Sequence, residues 1–286
     1  MITLPARPPT AFRDQALQAL DRLPPLSPTV GRLLARLAFR NVDFKELSAL
    51  AVKDALLCGY ILHTVNSAAF AQSRTITSIQ HAVSLLGVGN LRQVALSFAV
   101  NNIFSKVKTP PSWSRQRFNL HSGATALLTE AIADSLPLEN KDGAFVGGML
   151  HDLGKLLIAV TLPDEYETIA AMVVVRERSV FECEWETLGT DHAELSALAL
   201  AKWGLPELVC KAVYHHHDPE ASNAPMLALI IAKADQFVNH LGITVLPPIV
   251  HEGNQPSIEI PGSEFDTRAV LERFESEWLE FTKFFQ

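Results

Sequence analysis

What most restricts the fold of this chain is that its apolar residues recur at helical spacing almost from end to end. Val30, Leu33, Leu34 and Leu37 fall on one helical face, as do Leu47, Leu50 and Ala51, then Leu57, Tyr60, Ile61 and Val65, then Ile79, Val83 and Leu86. A stripe of this kind buries one side of an α-helix, whereas a half-buried strand needs alternation at period two. Start and stop signals divide the pattern. Ser27-Pro28 reads as an N-cap and first-turn proline, Asp43 with Glu46 as a capping box, and Asp54 and Ser78 as further helix starts. Gly87 predicts a left-handed C-cap, and Asn90 opens a helix through Val94, Phe98 and Ile103. Five short helices with tight connections are expected to form an N-terminal lobe.

The adjacent prolines Pro110-Pro111 stop a helix and hold the chain extended, which places a lobe boundary at 105–114. Beyond it, Ser114 starts a long helix with Phe118, His121, Ala124, Leu128 and Ile132 on it, ending before Pro137. A helix from about Asp142 runs past His151-Asp152 to Leu156 and Ile158, and further helices follow over Tyr166 to Arg178, Glu182 to Leu188 and Leu195 to Trp203, the last capped by Asp191 and Glu194. Pro206 and Pro225 begin two more, and a final amphipathic helix starts near Asp266 after a weakly patterned stretch, 241–263, that reads as a loop or short hairpin. The expected fold is all-α and two-lobed: an extension at 1–19, a lobe at 20–112, a second lobe at 113–240, and a loop and helix at 241–286 that pack on the second lobe.

At 286 residues and 48% hydrophobic content the chain can bury a large core. Cys58, Cys183 and Cys210 form no CxxC pair, which argues against a disulfide framework or a thiolate zinc site and fits a reducing cytosol. Each is expected to be a small packing residue, and Trp113, Trp185 and Trp203 are expected to be packing anchors. The proline-rich Met1 to Thr10 lacks the apolar segment of a signal peptide, and no run of about 18 apolar residues is expected to cross a membrane, so a cytoplasmic protein without membrane contact is expected. Charge is divided unevenly: residues 1–118 carry +9 and residues 119–286 carry −16. The two halves are expected to attract each other, with an acidic partner for the basic half as the alternative, and the total of −7 gives nucleic acid little to bind.

Seven of the ten histidines lie between positions 121 and 240, set among carboxylates. Imidazole beside carboxylate is a ligand set for a divalent ion that does phosphate chemistry. His121, His151, Asp152, His192, His216, His217 and Asp235 are the candidate ligands, each on a separate expected helix or helix end. His151 and Asp152 diverge by about 100° on an ideal helix, so both reach one centre only at a bend, and Gly154 is expected to supply the flexibility. At most two of His215, His216 and His217 can face one site, with His215 as the outsider. Lys155 would meet a phosphate oxygen, and Asp152 and Lys155 are the candidate catalytic pair. Gly147-Gly148 reads as close helix packing, and His63 and His81 as core or surface residues.

The run Asn66-Ser67-Ala68-Ala69-Phe70, the stretch Ser78 to Val83 and Leu85-Leu86-Gly87 resemble the N-terminal signature of HDOD domains, output domains related to the HD superfamily. His121-Ser122, Gly148 to Lys155, Asp191-His192-Ala193-Glu194, Trp203-Gly204-Leu205-Pro206, His216 to Pro219 and Ala234-Asp235 resemble its second half. The resemblance spans about 20–240 and implies a two-lobed helical fold with a regulatory role in bacterial signal transduction, acting through a signalling protein partner or a bound ligand. It implies one or two ions of iron, manganese or zinc on the seven candidate ligands, with Lys155 as the phosphate contact. The alternative it leaves open is a metal-dependent phosphohydrolase acting on a nucleotide or other phosphate-containing small molecule. Asp218-Pro219 after the histidines, in place of the Glu and Asp-Gly-x-Gly-Tyr-Pro run, argues against cyclic-di-GMP hydrolysis. No receiver or sensor pattern stands beside these segments, so regulatory input is expected from another protein or a ligand.

Overall fold

The computed structural model describes residues 11–22, 28–37, 43–67, 75–104, 108–138, 141, 143–176, 178–246 and 258–282. These residues form fourteen helices and no strand. In the first lobe, α2 (Pro28–Leu37), α3 (Phe44–Ala51) and α4 (Ala55–Val65) all pack on the long α5 (Ile79–Phe104). The stripes read from sequence supply the contact: Leu33, Leu37, Leu47, Leu57, Ile61 and Val65 are fully buried. Asp54 caps α4 by accepting from the amides of Leu56 and Leu57.

Two expected caps take another form. Asp43 accepts from the Lys45 amide, while Glu46 accepts from Arg36 on α2, so the acidic side chain ties two helices together and closes no capping box. Gly87 has positive φ (71°) but an extended ψ (173°), which kinks α5 without left-handed helical geometry. Ser27, Ala68 to Phe70 and Asp142 lie outside the described residues, as does 247–257 of the stretch expected to be a loop or hairpin.

The second lobe is built on α6 (Arg115–Ser135), whose N-cap Ser114 accepts from the Arg117 amide. Against α6 pack α7 (Ala144–Leu150), α13 (Met226–His240) and the C-terminal α14 (Thr267–Thr282). Phe281 of α14 is 2% exposed and stacks on Trp278, and Arg273 reaches Asp134 of α6 at 2.7 Å. A second layer comprises α8 (Leu153–Thr161), α9 (Pro163–Arg176), α10 (Val180–Leu188), α11 (His192–Lys202) and α12 (Glu207–Tyr214). Here α8 packs on α9 and α11, α9 on α10, and α12 joins α11 to α7 and α13.

A helix not read from sequence, α1 (Ala11–Arg22), crosses to this layer and packs on α8, α10 and α11. Arg13 pairs with the buried Glu194 at 2.6 Å, and Lys202 donates to the Leu20 carbonyl. Contrary to expectation, one stretch, Ala144–Thr161, reaches the length and mean hydropathy (1.3) of a membrane span. It is 89% buried in the fold and broken by the turn at His151-Asp152. Trp113 and Trp203 are buried packing residues, but Trp185 is 40% exposed and anchors no core. Cys183 and Cys210 are buried, and burial pushes the Cys210 thiol up to about 11.

Candidate metal centre

Local structure explains why His151 and Asp152 can face one point. The helical run expected through them stops at Leu150 and restarts at Leu153, and Asp152 leaves helical geometry (φ −95°, ψ 7°). Gly154 does not serve as a hinge. A Cβ there would lie 2.1 Å from the His192 carbonyl oxygen and 2.6 Å from its Cα, so its bare backbone lets α8 cross α11 at close range. Gly148 plays the packing role expected of it, since a Cβ would lie 2.8 Å from Ala126 Cα on α6. Both contacts bring the His151-Asp152 turn close to a histidine-bearing helix, α6 on one side and α11 on the other.

The seven candidate ligands come from five places: His121 on α6, His151 and Asp152 in the α7–α8 turn, His192 at the start of α11, His216 and His217 in the turn after α12, and Asp235 on α13. Their ligand atoms form three overlapping sets, each within 4.8 Å: His121, His151 and Asp235; His151, Asp152 and His216; and His192, His216 and His217. Asp152 sits at the junction. Its Oδ2 is 3.1 Å from His121 Nε2, and its Oδ1 is 3.2 Å from His192 Nε2 and 3.4 Å from His151 Nε2. Asp235 Oδ1 is 3.1 Å from His121 Nε2.

The rear nitrogens are committed. Nδ1–H of His121 donates to the Ile243 carbonyl (2.8 Å), that of His151 to Gly148 (2.8 Å) and that of His216 to Val213 (2.6 Å). His192 Nδ1 lies 2.5 Å from Glu184 Oε2, which also accepts the His192 backbone amide at 2.9 Å. Each tie fixes a ring and leaves its Nε2 facing the centre. His121 Nε2 and His151 Nε2 are 3.4 Å apart, and those of His192 and His217 only 2.8 Å. His216 Nε2 and Asp152 Oδ1 are buried without a hydrogen bond. An unsatisfied buried polar atom costs about 1–3 kcal/mol. Lone pairs that converge on one another, with two orphaned acceptors among them, fit a cation.

The electrostatics agree. Burial lowers the His121 pKa, but its hydrogen bonds and charge interactions with Asp152 and Asp235 outweigh burial and raise it to about 9. Burial alone would raise Asp152, but the charges of His151 and Lys155 hold it well below the usual carboxylate range. Asp235 is likewise held low against burial, through His121 and His151. Burial, helped by His151, brings His216 down to about 4, and burial with Lys155 takes His192 well below the usual value. Burial also takes His217 well below the usual value, so the centre holds two carboxylates as anions and keeps three imidazoles neutral. Burial pushes Glu184 up, with Lys155 pulling the other way.

Lys155 does not point free into the centre: its Nζ is 2.7 Å from Asp152 Oδ2. His217 is the exposed member of the set, its ring 4.9 Å from that of Phe181, so the centre meets solvent on that side. His215 packs edge-on to Tyr214 and stands outside all three sets, and His63 and His81 are surface residues. Sequence reasoning missed Glu184, which lies between Glu182 and Glu186 with nothing to set it apart. It also missed Asn239, one turn beyond Asp235, whose Nδ2 donates to Asp235 Oδ1 at 2.8 Å.

Known proteins share this architecture. An HDOD domain protein of unknown function from Geobacter sulfurreducens is 25% identical, with a TM-score of 0.73 over 93% of this chain and 94% of that one. A proposed phosphohydrolase from Shewanella amazonensis SB2B is 24% identical, with a TM-score of 0.69 over 94% and 96%. An uncharacterized protein of Treponema pallidum (strain Nichols) is 25% identical over 252 residues, which is 85% of this chain and 45% of that protein. This chain therefore spans less than half the length of that relative. The HDOD domain family model matches residues 23–219, which is most of the chain, and the chain belongs to the HDOD domain family.

Proposed function

We propose that this chain is a metal-dependent phosphohydrolase module that holds two divalent ions in its second lobe. The observation that carries the reading is the convergence of Nε2 atoms whose rear nitrogens are already tied, with Asp152 between them. His121, His151 and Asp235 would hold one ion and His192, His216 and His217 the other, with one oxygen of Asp152 directed to each. Five imidazoles with two carboxylates suit zinc, manganese or iron better than magnesium or calcium. When bound, such ions lower the pKa of a water and neutralise charge on a phosphate ester during in-line attack.

The chain's own residues do the rest. Carbonyl and carboxylate partners hold the rings in place before any ion arrives, which limits reorganisation. Lys155 fixes the Asp152 carboxylate and adds a cation beside it, where it offsets phosphate charge. His217 marks the side from which a phosphate ester, such as a nucleotide, approaches. A regulatory reading is supported by the HDOD family match, since the resemblance implies an output role. On that reading the site serves a bacterial signalling protein in the cytoplasm, and a partner protein reads its ligand state.

The test is metal content by plasma mass spectrometry on protein purified without a histidine tag or nickel resin. It is followed by turnover of p-nitrophenyl mono- and diesters with added Mn²⁺, Fe²⁺ or Zn²⁺. Wild type with close to two ions and turnover, both lost in Asp152→Ala, supports the reading. Wild type that stays empty after reconstitution ends it, and bound metal with no turnover on any ester leaves the regulatory reading.

A further inference from the structure

Among the inward-facing imidazoles, His192 has a different support. His121, His151 and His216 give their Nδ1 protons to backbone carbonyls, which are neutral acceptors. His192 gives its proton to Glu184, and one oxygen of that carboxyl takes both the ring and the backbone amide of the same residue. Glu184 is 2% exposed, and it stands on α10, a helix that contributes none of the seven ligands. One oxygen thus fixes both the ring and the backbone of His192 and keeps its Nε2 aimed at the centre. The effect is confined to one ion position, because His192 belongs only to the set with His216 and His217.

Resting on the two-ion reading above, we propose that Glu184 is a positioning residue that governs the ion at His192, His216 and His217 alone, so that the two positions are tuned separately. Asn239 is its counterpart at the other position, where it donates to Asp235. On this view the double acceptor behind His192 sets the aim of its ring, and the aim sets the affinity. Glu184→Ala removes this acceptor, and Glu184→Gln, which keeps an oxygen acceptor of nearly the same size, is the conservative rescue.

The experiment is Mn²⁺ titration of the whole chain, with free ion followed by electron paramagnetic resonance and total ion by mass spectrometry. Glu184→Ala should weaken one of two ions by about 10–100-fold and leave the other at wild-type affinity, and Glu184→Gln should restore most of the loss. Asn239→Ala should weaken an ion as well, and the double variant should weaken both. Circular dichroism and melting of each metal-free variant establish that it folds; if Glu184→Ala fails to fold, Glu184 is structural and the proposal falls. Two ions at wild-type affinity in Glu184→Ala, or equal weakening of both, overturns the role of Glu184 while the two-ion reading stands. Wild type that binds fewer than two ions overturns that reading and this proposal with it.

Discussion

Replacing Gly154 by alanine tests whether the close crossing of α8 and α11 builds the site. The added methyl carbon would lie 2.1, 2.6 and 2.7 Å from the carbonyl oxygen, Cα and carbonyl carbon of His192. All three obstacles are backbone atoms, so no side-chain rotation relieves the clash. Ordinary contact begins near 3.4 Å, and the helices must part by more than an ångström. That shift also breaks the 2.7 Å bond from the Gly154 amide to Ser196 Oγ and stretches the 3.2 Å approach of Asp152 to His192. Overpacking against a rigid neighbour costs about 3 kcal/mol, at the upper end of the usual range. For a chain of this size that is a fall in Tm of roughly 6–12 °C. Metal sites tolerate about 0.2 Å in ligand distance, so the ion shared by Asp152 and His192 should be lost even from folded protein. Differential scanning calorimetry and metal analysis of Gly154→Ala read both effects. A variant that melts within about 2 °C of wild type and keeps its full metal content would refute the reasoning.

Two further outcomes follow from the same coordinates. The His121 pKa is raised to about 9 in the metal-free fold, so the stability it contributes is complete below about pH 6.5 and is lost as pH rises through 9. Urea denaturation of metal-free protein at pH 6 and pH 9.5 should differ by about 3 kcal/mol from this group, and a flat profile would show that the ring carries no extra proton. Phe281→Ala should cost about 3–5 kcal/mol in urea denaturation, because a buried ring is removed from the α6–α14 contact. Its metal stoichiometry should stay at the wild-type value, and loss of metal would tie α14 to the site.

The helices of both lobes were legible because burial follows the stripes directly: Leu33 and Leu37, or Leu57, Ile61 and Val65, are buried where spacing puts them. The helix α1 was not, since among its described side chains only Ala16 and Leu20 are buried, one turn apart, while Phe12, Asp14, Gln15 and Gln18 are exposed. Its partners Glu194 and Lys202 lie more than 180 residues away, and no local pattern reports such a contact. Asp43 and Glu46 misled for a related reason: Glu46 has the spacing of a capping box, but Arg36 on α2 competes for its carboxylate and wins.

The candidate ligands were legible for a different reason: histidine and aspartate advertise their chemistry by residue type. The groups that aim them do not. Three of the four rear partners are main-chain carbonyls, which every residue possesses, and two of these stand three residues before the histidine they hold, Gly148 for His151 and Val213 for His216. That i−3 relation has a local cause, a helix ending at the histidine so that its last free carbonyls lie within reach of the ring. A histidine within two residues of a helix C-terminus is placed to be pre-oriented in this way, as His151 and His216 are, although His215, which follows α12 directly as His151 follows α7, turns to Tyr214 instead. His192 cannot use this device, because it begins a helix and the free groups around it are donors. An acceptor for its Nδ1–H has to come from another element, and a carboxylate that also takes the His192 amide answers both needs at once. Glu184 is what the position of His192 at a helix start requires.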